Sequence, residues 1–403
     1  MADKYKISKV IIVGAGPSGL LLGILLAKQG IKVSLIEMSD KLDENPRAAH
    51  YAPSSVRELR RAGVLEEVTR DGLKPHGVCW RGPDREILAG IRGEVTNDPD
   101  AMVCLPLDKL DKILLRVFLE QESTEVLWKH KVVGIKQDEK EAQVQVETAE
   151  GEKWLGTDYV VGCDGANSQI RRSLFGDLAF PGETLQSQII ATNIYYDFPK
   201  FNYWDSQFIV HPTDWYMAAK ITPGGLWRVT YGDEWGLSTE EYLKRQPERF
   251  EQILPGNPKP GDYKLVNISP YKLHQRCAES MRVGRFLLAA DAAHLCNPLS
   301  SGGMGLTGGF ADITTLYDCF LAMQEGLTDD SILDAYSDVR RKKWREIIDP
   351  SSRANFARIW DENAVEEKEA FFKMCRDMEN DPEAQKRGAQ VSNPATSDAE
   401  PRD

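Results

Sequence analysis

The segment Val10–Gly30, VIIVGAGPSGLLLGILLAKQG, most constrains how this chain can fold. Its first 18 residues, Val10–Ala27, carry no charge and follow three lysines, a pattern also found in signal peptides and N-terminal membrane anchors. The same residues contain three glycines at the spacing G-x-G-x-x-G, namely Gly14, Gly16 and Gly19. Because these glycines and Pro17 are poor residues for a continuous membrane helix, we expect a buried strand followed by a helix instead.

The residues on either side of the glycines predict a β-α-β unit. The β-branched run Lys9–Val13 precedes them, a helix is expected up to Gly30, and a second strand follows at Lys32–Glu37. In such a unit the glycines allow a tight turn, close approach of a pyrophosphate and close packing of helix on strand, and the helix N-terminus faces the phosphates. Glu37 ends the second strand, where a carboxylate accepts both ribose hydroxyls, which favours FAD or NAD over NADP.

Composition argues against several kinds of partner and site. The chain has 403 residues and a net charge of −12, whereas a nucleic-acid surface needs clustered Lys and Arg. Its seven cysteines form no C-x-x-C pair and its six histidines no H-E-x-x-H, so we predict neither a disulfide framework nor a metal site. Reduced thiols and a cytoplasmic location are expected. Outside Val10–Ala27 no stretch approaches the length of a membrane span.

The hydrophobic pattern predicts the organisation of the rest of the chain. Helices are expected at 53–70, 105–121 and 330–348, and RRKKWR (340–345) is expected on a solvated face. Strands are expected as a small meander over 125–148, as an antiparallel sheet over 184–232 and as a strand before a turn and helix over 282–323. The predicted units are 1–180 with 281–350 as a discontinuous nucleotide-binding domain, 181–280 with part of 75–105 as a β-sheet substrate domain, 351–376 as a C-terminal helix and 377–403 as a disordered tail.

Two further motifs follow the first in order. VVGCDGANSQIRR ends a predicted strand with Asp164 and Gly165, and GRFLLAADAAHLCNPLSSGGMG places Asp291 at the end of another strand, before a glycine-rich loop. Over residues 8–350 the three motifs resemble the class A FAD-dependent monooxygenases, the para-hydroxybenzoate hydroxylase-like flavoprotein aromatic hydroxylases. The resemblance implies an α/β fold in which a Rossmann-like FAD-binding domain carries an inserted mixed or antiparallel β-sheet substrate domain. It also implies a compact member without the C-terminal thioredoxin-like domain of the phenol hydroxylase branch.

The resemblance assigns roles to individual residues. The glycine motif with Ser18 and Glu37 would hold the ADP half of FAD, and Arg47 would reach the pyrophosphate and the incoming NADPH. Asp164 belongs to a D-G motif linked to FAD and NADPH, and Asp291 would accept a hydrogen bond from a ribityl hydroxyl. The cofactor-binding residues so implied are Gly14, Gly16, Ser18, Gly19, Glu37, Arg47, Ala48, Arg116, Asp164, Asp291, Pro298, Gly303, Met304 and Gly305.

The sequence departs from the family pattern at two positions near the expected cofactor. The usual G-D-A-A-H begins here with Ala290 instead of glycine. Leu107 stands where the family has an arginine or glutamine that contacts FAD. That contact would then come from elsewhere, and Arg116 is the substitute candidate in the list above.

The resemblance implies a FAD-dependent monooxygenase that uses NADPH or NADH as a transient co-substrate. It would insert one oxygen atom from O2 into a phenolic or other activated aromatic small molecule through a flavin C4a-hydroperoxide. Because phenols are commonly activated by deprotonation, we expect a base or a cation in the pocket. His50, beside the flavin, is one catalytic candidate. The middle sheet offers His211, Tyr216, Lys220, Arg228 and Tyr231, of which we select Tyr216 and Arg228.

Alternatives remain open at this point. Oxidative decarboxylation or epoxidation would use the same oxygen chemistry. A flavin reductase or dehydrogenase of related fold, such as the geranylgeranyl reductase-like group, and a non-catalytic FAD-binding or membrane-anchored protein are the rival classes. We expect the partners to be an aromatic substrate and O2, with no nucleic acid and no membrane span, and a chain that is a monomer or a homodimer.

Overall fold

A computed structural model describes residues 6–45, 47, 50–92, 99–299, 303–379 and 381. Ala48, one of the predicted cofactor neighbours, lies outside the described residues, as does the predicted disordered tail from residue 382 onward.

The strands are β1 (Lys9–Val13), β2 (Lys32–Ile36), β3 (His50–Tyr51), β4 (Gly77–Arg81), β5 (Ile87–Arg92), β6 (Val103–Cys104), β7 (Thr124–Leu127), β8 (Lys131–Gln137), β9 (Ala142–Thr148), β10 (Gly151–Thr157), β11 (Tyr159–Gly162), β12 (Gly182–Tyr195), β13 (Ser206–Ile209), β14 (Tyr216–Lys220), β15 (Leu226–Asp233), β16 (Lys264–Cys277), β17 (Arg282–Val283), β18 (Phe286–Leu288) and β19 (His294–Leu295). The α-helices are α1 (Pro17–Ala27), α2 (Pro53–Ala62), α3 (Leu65–Asp71), α4 (Leu107–Leu119), α5 (Gln169–Phe175), α6 (Thr239–Ile253), α7 (Met304–Gln324), α8 (Ile332–Lys343), α9 (Asp349–Trp360) and α10 (Val365–Glu379).

The first sheet is mostly parallel and has the order β17-β18-β11-β1-β2-β7. β1 pairs in parallel with β2 on one side and with β11 on the other, so the predicted β-α-β unit is confirmed. The apolar residues of Val10–Ala27 are buried in this sheet and in α1, because a parallel sheet is covered on both faces. Among the described residues, no helix has the length and apolarity that crossing a membrane requires.

The predicted meander is confirmed in part, and one predicted helix is interrupted. β8, β9 and β10 form a three-stranded antiparallel sheet over 131–157, whereas β7, expected as part of the meander, joins the parallel sheet beside β2. The helix expected over 53–70 ends at Gly63, whose φ of +84° is left-handed, and α3 starts again at Leu65. Glycine adopts this conformation without the Cβ clash of other residues, so it ends α2.

The larger sheet has the order β19-β16-β12-β15-β14-β13-β4-β5 and is antiparallel except where β13 runs parallel to β4. Successive side chains of a strand point to opposite faces. Trp227, Val229 and Tyr231 of β15 pack in one cluster with Phe250 of α6. We name this side the outer face, and the side that carries Arg228 the inner face.

The inner face is covered by the loop that contains Leu299 and by the C-terminal helices α9 and α10. Met217 of β14 and Tyr271 of β16 belong to a cluster that also contains Leu299 and Phe356. One helix was expected over 351–376, but α9 and α10 are separate, and α10 runs on to Glu379. β19, from the segment 281–350, pairs with β16 in the larger sheet, so the two sheets do not divide strictly at the predicted domain boundaries. The boundaries themselves stay a prediction.

The prediction of a solvated face at 340–345 is wrong for two residues. Arg340 is 2% exposed and Trp344 is 7% exposed. α8 continues into a π-helical turn over Trp344–Ile348, next to Pro350. Because Pro350 lacks the N–H that would continue the α-helical ladder, the chain turns here and directs Trp344 inward.

α7 packs closely on the turn before Asp291, and this contact can be tested. A Cβ added at Gly309 would lie 2.8 Å from the Cβ of Ala290. We expect Gly309→Ala to lower the free energy of unfolding by about 1–3 kcal/mol through overpacking. Urea unfolding of purified protein measures the change.

Two companion variants control for this test. Ala290→Gly combined with Gly309→Ala removes the facing methyl group and should recover much of the loss. Gly305→Ala makes the same change in the same helix, where the added Cβ meets only Cys296 Sγ at 3.8 Å. A Gly309→Ala protein as stable as Gly305→Ala would contradict the proposed packing.

Candidate active site

The first part of the site lies where β1 turns into α1. Gly14 has a left-handed φ of +109°, and a Cβ there would lie 2.4 Å from the carbonyl oxygen of Cys163. A Cβ on Gly19 would lie 2.1 Å from the carbonyl oxygen of Gly14, whereas one on Gly16 would meet nothing within 4 Å. The helix that follows has no side-chain cap among the described residues. Its first N–H groups therefore face open space, as an anion-binding helix N-terminus requires.

Glu37 is held at the rim of this turn. Its Oε2 accepts a hydrogen bond from the backbone N–H of Ala15 (3.0 Å), and its Oε1 accepts one from Ser39 (2.9 Å). A carboxylate has about four acceptor positions, so both oxygens keep capacity for ribose hydroxyls.

Asp164 follows β11 and caps α5. Its Oδ2 accepts hydrogen bonds from the N–H groups of Gln169 (2.7 Å) and Ile170 (3.2 Å). Its Oδ1 is buried and has no hydrogen-bond partner among the described residues, and burial raises the pKa of this carboxyl. An orphaned acceptor of this kind indicates that a donor from a ligand or water completes the site.

Arg171 joins this loop to the Asp291 loop. Its Nη1 donates to the carbonyl of Ala292 (2.9 Å) and its Nη2 to the carbonyl of Ala166 (2.8 Å). The guanidinium also lies 3.6 Å from the ring centroid of Phe180. Arg171, near the end of the second motif VVGCDGANSQIRR, thus holds the third motif, which contains Asp291, in position.

Asp291 follows a residue in an unusual conformation. Ala290, which replaces the family's glycine, has a left-handed φ of +55°. Non-glycine residues adopt this region at a cost of about 1–2 kcal/mol, so the turn is held by its surroundings. Asp291 is exposed to solvent, yet the protein packed around its carboxyl raises its pKa.

A buried ion pair holds this turn. The Oδ2 of Asp312 in α7 accepts hydrogen bonds from the backbone N–H of Ala290 (2.8 Å) and lies 2.8 Å from His294 Nε2. Its Oδ1 accepts one from Arg340 Nε (2.7 Å). Burial alone would raise the pKa of Asp312, but the charges of His294 and Arg340 together lower it to about 2. Asp312 is therefore ionised and fully paired.

The glycine-rich loop after β19 approaches β3. Pro298 is exposed, whereas Leu299 is buried in the inner-face cluster. Gly303 has a left-handed φ of +63°, and a Cβ there would lie 3.0 Å from the carbonyl oxygen of His50. Met304 and Gly305 then begin α7. His50 therefore lies next to the glycine-rich loop, at Gly303.

These residues fit FAD. The open position at Gly16 suits a pyrophosphate, and Glu37 suits the adenosine ribose. The unpartnered Oδ1 of Asp164 and the exposed carboxyl of Asp291 offer acceptors for further hydroxyls.

Two predicted cofactor residues lie on the surface. Arg47 is exposed and pairs with Asp43 at 2.7 Å, and its charge also acts on the carboxyl of Asp291, where it opposes the effect of burial on the pKa. Arg116 lies in the last turn of α4 and pairs with Glu67 and Glu120. Its position among surface carboxylates does not support the substitution for the family's FAD contact, which stays a prediction.

The imidazole of His50 is enclosed by protein, within range of the charges of Arg228 and Asp205. Burial lowers the pKa of His50 to about 4, with Arg228 adding to this effect and Asp205 opposing it. His50 Nε2 is buried and has no hydrogen-bond partner among the described residues, while its Nδ1 lies 4.0 Å from Cys104 Sγ. The imidazole is neutral at physiological pH.

Arg228 is oriented by two polar side chains that sequence analysis did not identify. Its Nε donates to Asn193 Oδ1 (2.9 Å) and its Nη1 to the hydroxyl of Tyr271 (3.4 Å). Asn193 is directly opposite Arg228 in the ladder between β12 and β15. Only the register of three strands, which the sequence does not state, brings these residues together.

The selection of Tyr216 as a catalytic residue is not supported by its position. Tyr216 lies on the outer face, 1% exposed, with its hydroxyl 2.5 Å from that of Tyr203. Lys220 shares its face, as the spacing predicted, and Tyr231 packs in the same outer-face cluster. Arg228 alternates with Trp227 and Val229 along β15, so its side chain points to the inner face of the sheet.

Comparison with known proteins identifies the family. A model described as FAD binding domain matches residues 8–351. The chain belongs to this FAD-binding family. Para-nitrophenol 4-monooxygenase of Pseudomonas sp. strain WBC-3 is 34% identical over 350 residues, which are 86% of each chain. The 6-hydroxy-3-succinoylpyridine 3-monooxygenase of Pseudomonas putida strain S16 is 31% identical over 377 residues, which are 93% of this chain and 94% of the relative.

Solved structures agree. The crystal structure of p-nitrophenol 4-monooxygenase from Pseudomonas putida DLL-E4 matches with a TM-score of 0.89 and 31% identity over 96% of this chain and 98% of the other. Aklavinone-11 hydroxylase, solved with FAD and aklavinone, matches with a TM-score of 0.77 over 89% of this chain and 70% of the other, and at 24% identity this likeness concerns the fold alone.

This member of the FAD-binding family is a FAD-dependent monooxygenase of phenolic or related aromatic compounds, with NAD(P)H as co-substrate. Its fold is the para-hydroxybenzoate hydroxylase-like fold that the three motifs imply. The predicted family, fold class, cofactor and enzyme class are confirmed.

The ion pair of Asp312 predicts a pH-dependent loss of stability. The pKa of Asp312 is about 2 in the folded protein against an ordinary value of 3.8, so its contribution is complete above pH 4 and is lost as pH falls towards 2. Asp312→Asn leaves Arg340 buried without a counter-ion, and we expect a loss of about 3–5 kcal/mol at pH 7. Urea unfolding at a series of pH values should show this difference shrinking below pH 4. A difference that stays constant down to pH 2.5 would argue against the ionised pair.

Proposed function

We propose that this chain oxygenates a phenol at the ring carbon para to the hydroxyl, with His50 and Arg228 holding the hydroxyl group. The observation that carries this proposal is the buried, unpartnered Nε2 of His50, whose pKa is lowered by burial and also by the charge of Arg228. A neutral base beside a fixed cation is suited to take a proton from a phenol and to stabilise the phenolate that results.

The surroundings of the Arg228 guanidinium suit an aromatic ring. Arg228 Nη1 lies 3.4 Å from the hydroxyl of Tyr271, which stands opposite Ile189, so the guanidinium reaches along the inner face past the row of Ala191 and Thr230. Tyr271 belongs to the same apolar cluster as Met217 and Leu299. A phenol with its hydroxyl at Arg228 would therefore place its ring beside this cluster.

The names of two relatives support the same position. One acts at position 4 of para-nitrophenol, and the other at position 3 of 6-hydroxy-3-succinoylpyridine. In both compounds that ring atom lies opposite the hydroxyl-bearing carbon and carries the substituent. We extend this para selectivity to the present chain.

The described side chains account for the protein's part in the reaction. With its proton on Nδ1, towards the sulfur of Cys104, His50 presents Nε2 as the acceptor for the phenol proton. Arg228, held by Asn193 and Tyr271, would pair with the phenolate, and the ionised oxygen makes the para carbon electron-rich. When bound, FAD supplies the redox chemistry, taking two electrons from NAD(P)H and passing them to O2. The apolar cluster around Leu299 limits the access of water, which favours oxygen transfer over loss of hydrogen peroxide.

The remaining predicted roles are part of this proposal. We propose that the glycine motif, Ser18, Glu37, Asp164 and Asp291 bind FAD, with the loop from Pro298 to Gly305 at the ring system. Seven free cysteines suit a reducing compartment, and we propose a cytoplasmic enzyme. The chain is proposed to act as a monomer or a homodimer, which sedimentation equilibrium would decide.

The test uses 4-nitrophenol, NADPH and ¹⁸O2 with the purified holoenzyme. Oxygenation at the para carbon replaces the C–N bond by a C–O bond, which releases nitrite and gives para-quinone, while the second oxygen atom leaves as water. Oxygenation at the ortho carbon gives 4-nitrocatechol without nitrite. Nitrite release with one ¹⁸O in the organic product supports the proposal, and 4-nitrocatechol overturns it.

The same assay separates the rival functions. A flavin reductase or dehydrogenase would oxidise NADPH without placing ¹⁸O in the product. A non-catalytic FAD-binding protein would show neither substrate-stimulated NADPH oxidation nor product.

The proposed role of Arg228 can be measured without turnover. We expect Arg228→Gln to raise the pKa of bound 4-nitrophenol by about 1–3, because the phenolate loses its counter-ion. The visible absorption of the phenolate, followed against pH in the enzyme complex, reports this value. Arg70→Gln removes an exposed cation of α3 and should leave it unchanged. An unchanged value in Arg228→Gln would contradict the pairing.

The proposed role of His50 appears in the pH profile. His50→Asn keeps a polar side chain but removes the base, and we expect kcat to fall by about 10²-fold or more below the pKa of the phenol. The deficit should shrink at higher pH, where the substrate is already ionised. A deficit equal at all pH values would indicate a structural role instead.

A further inference from the structure

A cysteine and a histidine face each other where β3 pairs with β6. The antiparallel ladder sets His50 directly opposite Cys104, so their side chains stand on the same side of this two-stranded ribbon. Cys104 Sγ lies 4.0 Å from His50 Nδ1 and is the only polar atom of the described residues within hydrogen-bond range of either ring nitrogen. The thiol is therefore the group best placed to decide which ring nitrogen carries the proton.

The backbone around Cys104 determines the direction of its thiol proton. Sγ also lies 3.6 Å from the carbonyl oxygen of Lys220 and 3.8 Å from that of Ile221. Carbonyl oxygens only accept, so the S–H group donates in these contacts. Burial, with the charge of Asp205 adding to it, raises the pKa of Cys104, so the sulfur keeps its proton. With that proton directed to the carbonyls, the lone pairs of the sulfur are left for a donor.

Cys104 itself is held firmly. Its N–H donates to the carbonyl of Leu73 (2.8 Å), and its carbonyl accepts from the N–H of Leu73 (2.9 Å). The side chain is fully buried and packs with Ile221 and Leu226. A side chain enclosed in this way has little freedom to turn its sulfur away from His50.

We propose that Cys104 is a positioning residue that holds the proton of neutral His50 on Nδ1. Its sulfur accepts the Nδ1–H, which leaves the lone pair of Nε2 for the substrate. The proposal rests on the proposed function, in which the phenol gives its proton to Nε2 while Nδ1 keeps its own. In the other tautomer Nε2 carries a hydrogen and the free lone pair faces the sulfur, so His50 could not serve the substrate as a base.

Two charged groups act on the same imidazole. Asp205 raises the pKa of His50 and Arg228 lowers it, and burial has the largest effect and brings it to about 4. Asp205 is also engaged by His76, whose Nδ1 lies 2.7 Å from its Oδ2. These charges decide whether the ring takes up a second proton, whereas the contact with Cys104 decides which nitrogen carries the single proton of the neutral ring. The two effects are therefore separable by experiment.

Nitrogen NMR of the oxidised holoenzyme, labelled with ¹⁵N-histidine, reads the tautomer directly, because protonated and unprotonated ring nitrogens have well-separated signals. His50→Asn identifies the His50 signals among those of the six histidines. We expect a protonated Nδ1 and an unprotonated Nε2 in the wild type. Cys104→Ala removes the acceptor and should lower the ratio of Nδ1–H to Nε2–H by about three- to tenfold. Cys104→Ser should stay closer to the wild type, because a hydroxyl can also donate to a carbonyl and accept from Nδ1.

Turnover gives an independent measure. Below the pKa of the phenol, we expect kcat of Cys104→Ala to fall by about two- to fivefold, with recovery at higher pH, where the substrate is already ionised. Cys319→Ala is the matched control, since it removes another buried thiol, whose Sγ lies 3.9 Å from the carbonyl oxygen of Ile332 between α7 and α8. It should leave both the tautomer and the pH profile unchanged.

The outcomes separate this proposal from the function on which it rests. A protonated Nε2 in the wild type overturns the proposal, and so does a tautomer ratio in Cys104→Ala equal to that of the wild type. A loss of equal size in Cys319→Ala would indicate a general effect of removing a buried thiol and would also overturn it. The NMR signals need no turnover, so they decide the role of Cys104 even where the 4-nitrophenol assay refutes the proposed function.

Discussion

The buried carboxylate of Asp312 holds the turn that carries Asp291. It binds the backbone of Ala290 and the imidazole of His294, both in the third motif, and the guanidinium of Arg340 in α8. The left-handed conformation of Ala290 is unfavourable in isolation, so it persists because this network over-determines it. Arg171 holds the same turn through the carbonyl of Ala292. The position of Asp291 thus depends on charged side chains from α5, α7 and α8.

Much of the nucleotide-binding half could be predicted from sequence, because its constraints are local. Gly19 approaches the backbone of Gly14, only five residues earlier, and Gly14 approaches Cys163, at the strand end that the second motif marks. The spacing of these glycines alone therefore indicates the turn. Glu37 and Asp291 end strands whose apolar runs are visible in the sequence. Arg340 was misassigned because four neighbouring basic residues suggest a solvated face, whereas its burial depends on Asp312, 28 residues away in the chain.

The substrate side was harder to predict because it depends on strand parity and register. Tyr216 and Arg228 are both polar residues of adjacent buried strands, and either could have lined the pocket. The ladder pairs Tyr216 with Tyr231, which places it on the outer face with α6, while Arg228 pairs with Ala219 and Asn193 on the inner face. A shift of one residue in either strand would exchange these roles. Sequence spacing gives the parity within one strand but not which side faces the cofactor.

In the proposed mechanism, the electrostatics of His50 and Arg228 link proton transfer to the presence of a substrate. In the free enzyme, burial and the charge of Arg228 both disfavour the imidazolium form of His50. A phenolate between the two groups would neutralise Arg228 and would favour a positive charge on the imidazole, so the base would become stronger only as the substrate ionises. The proton on His50 and the charge on the phenolate would thus be coupled. Activation of the aromatic ring in this mechanism therefore requires the bound substrate.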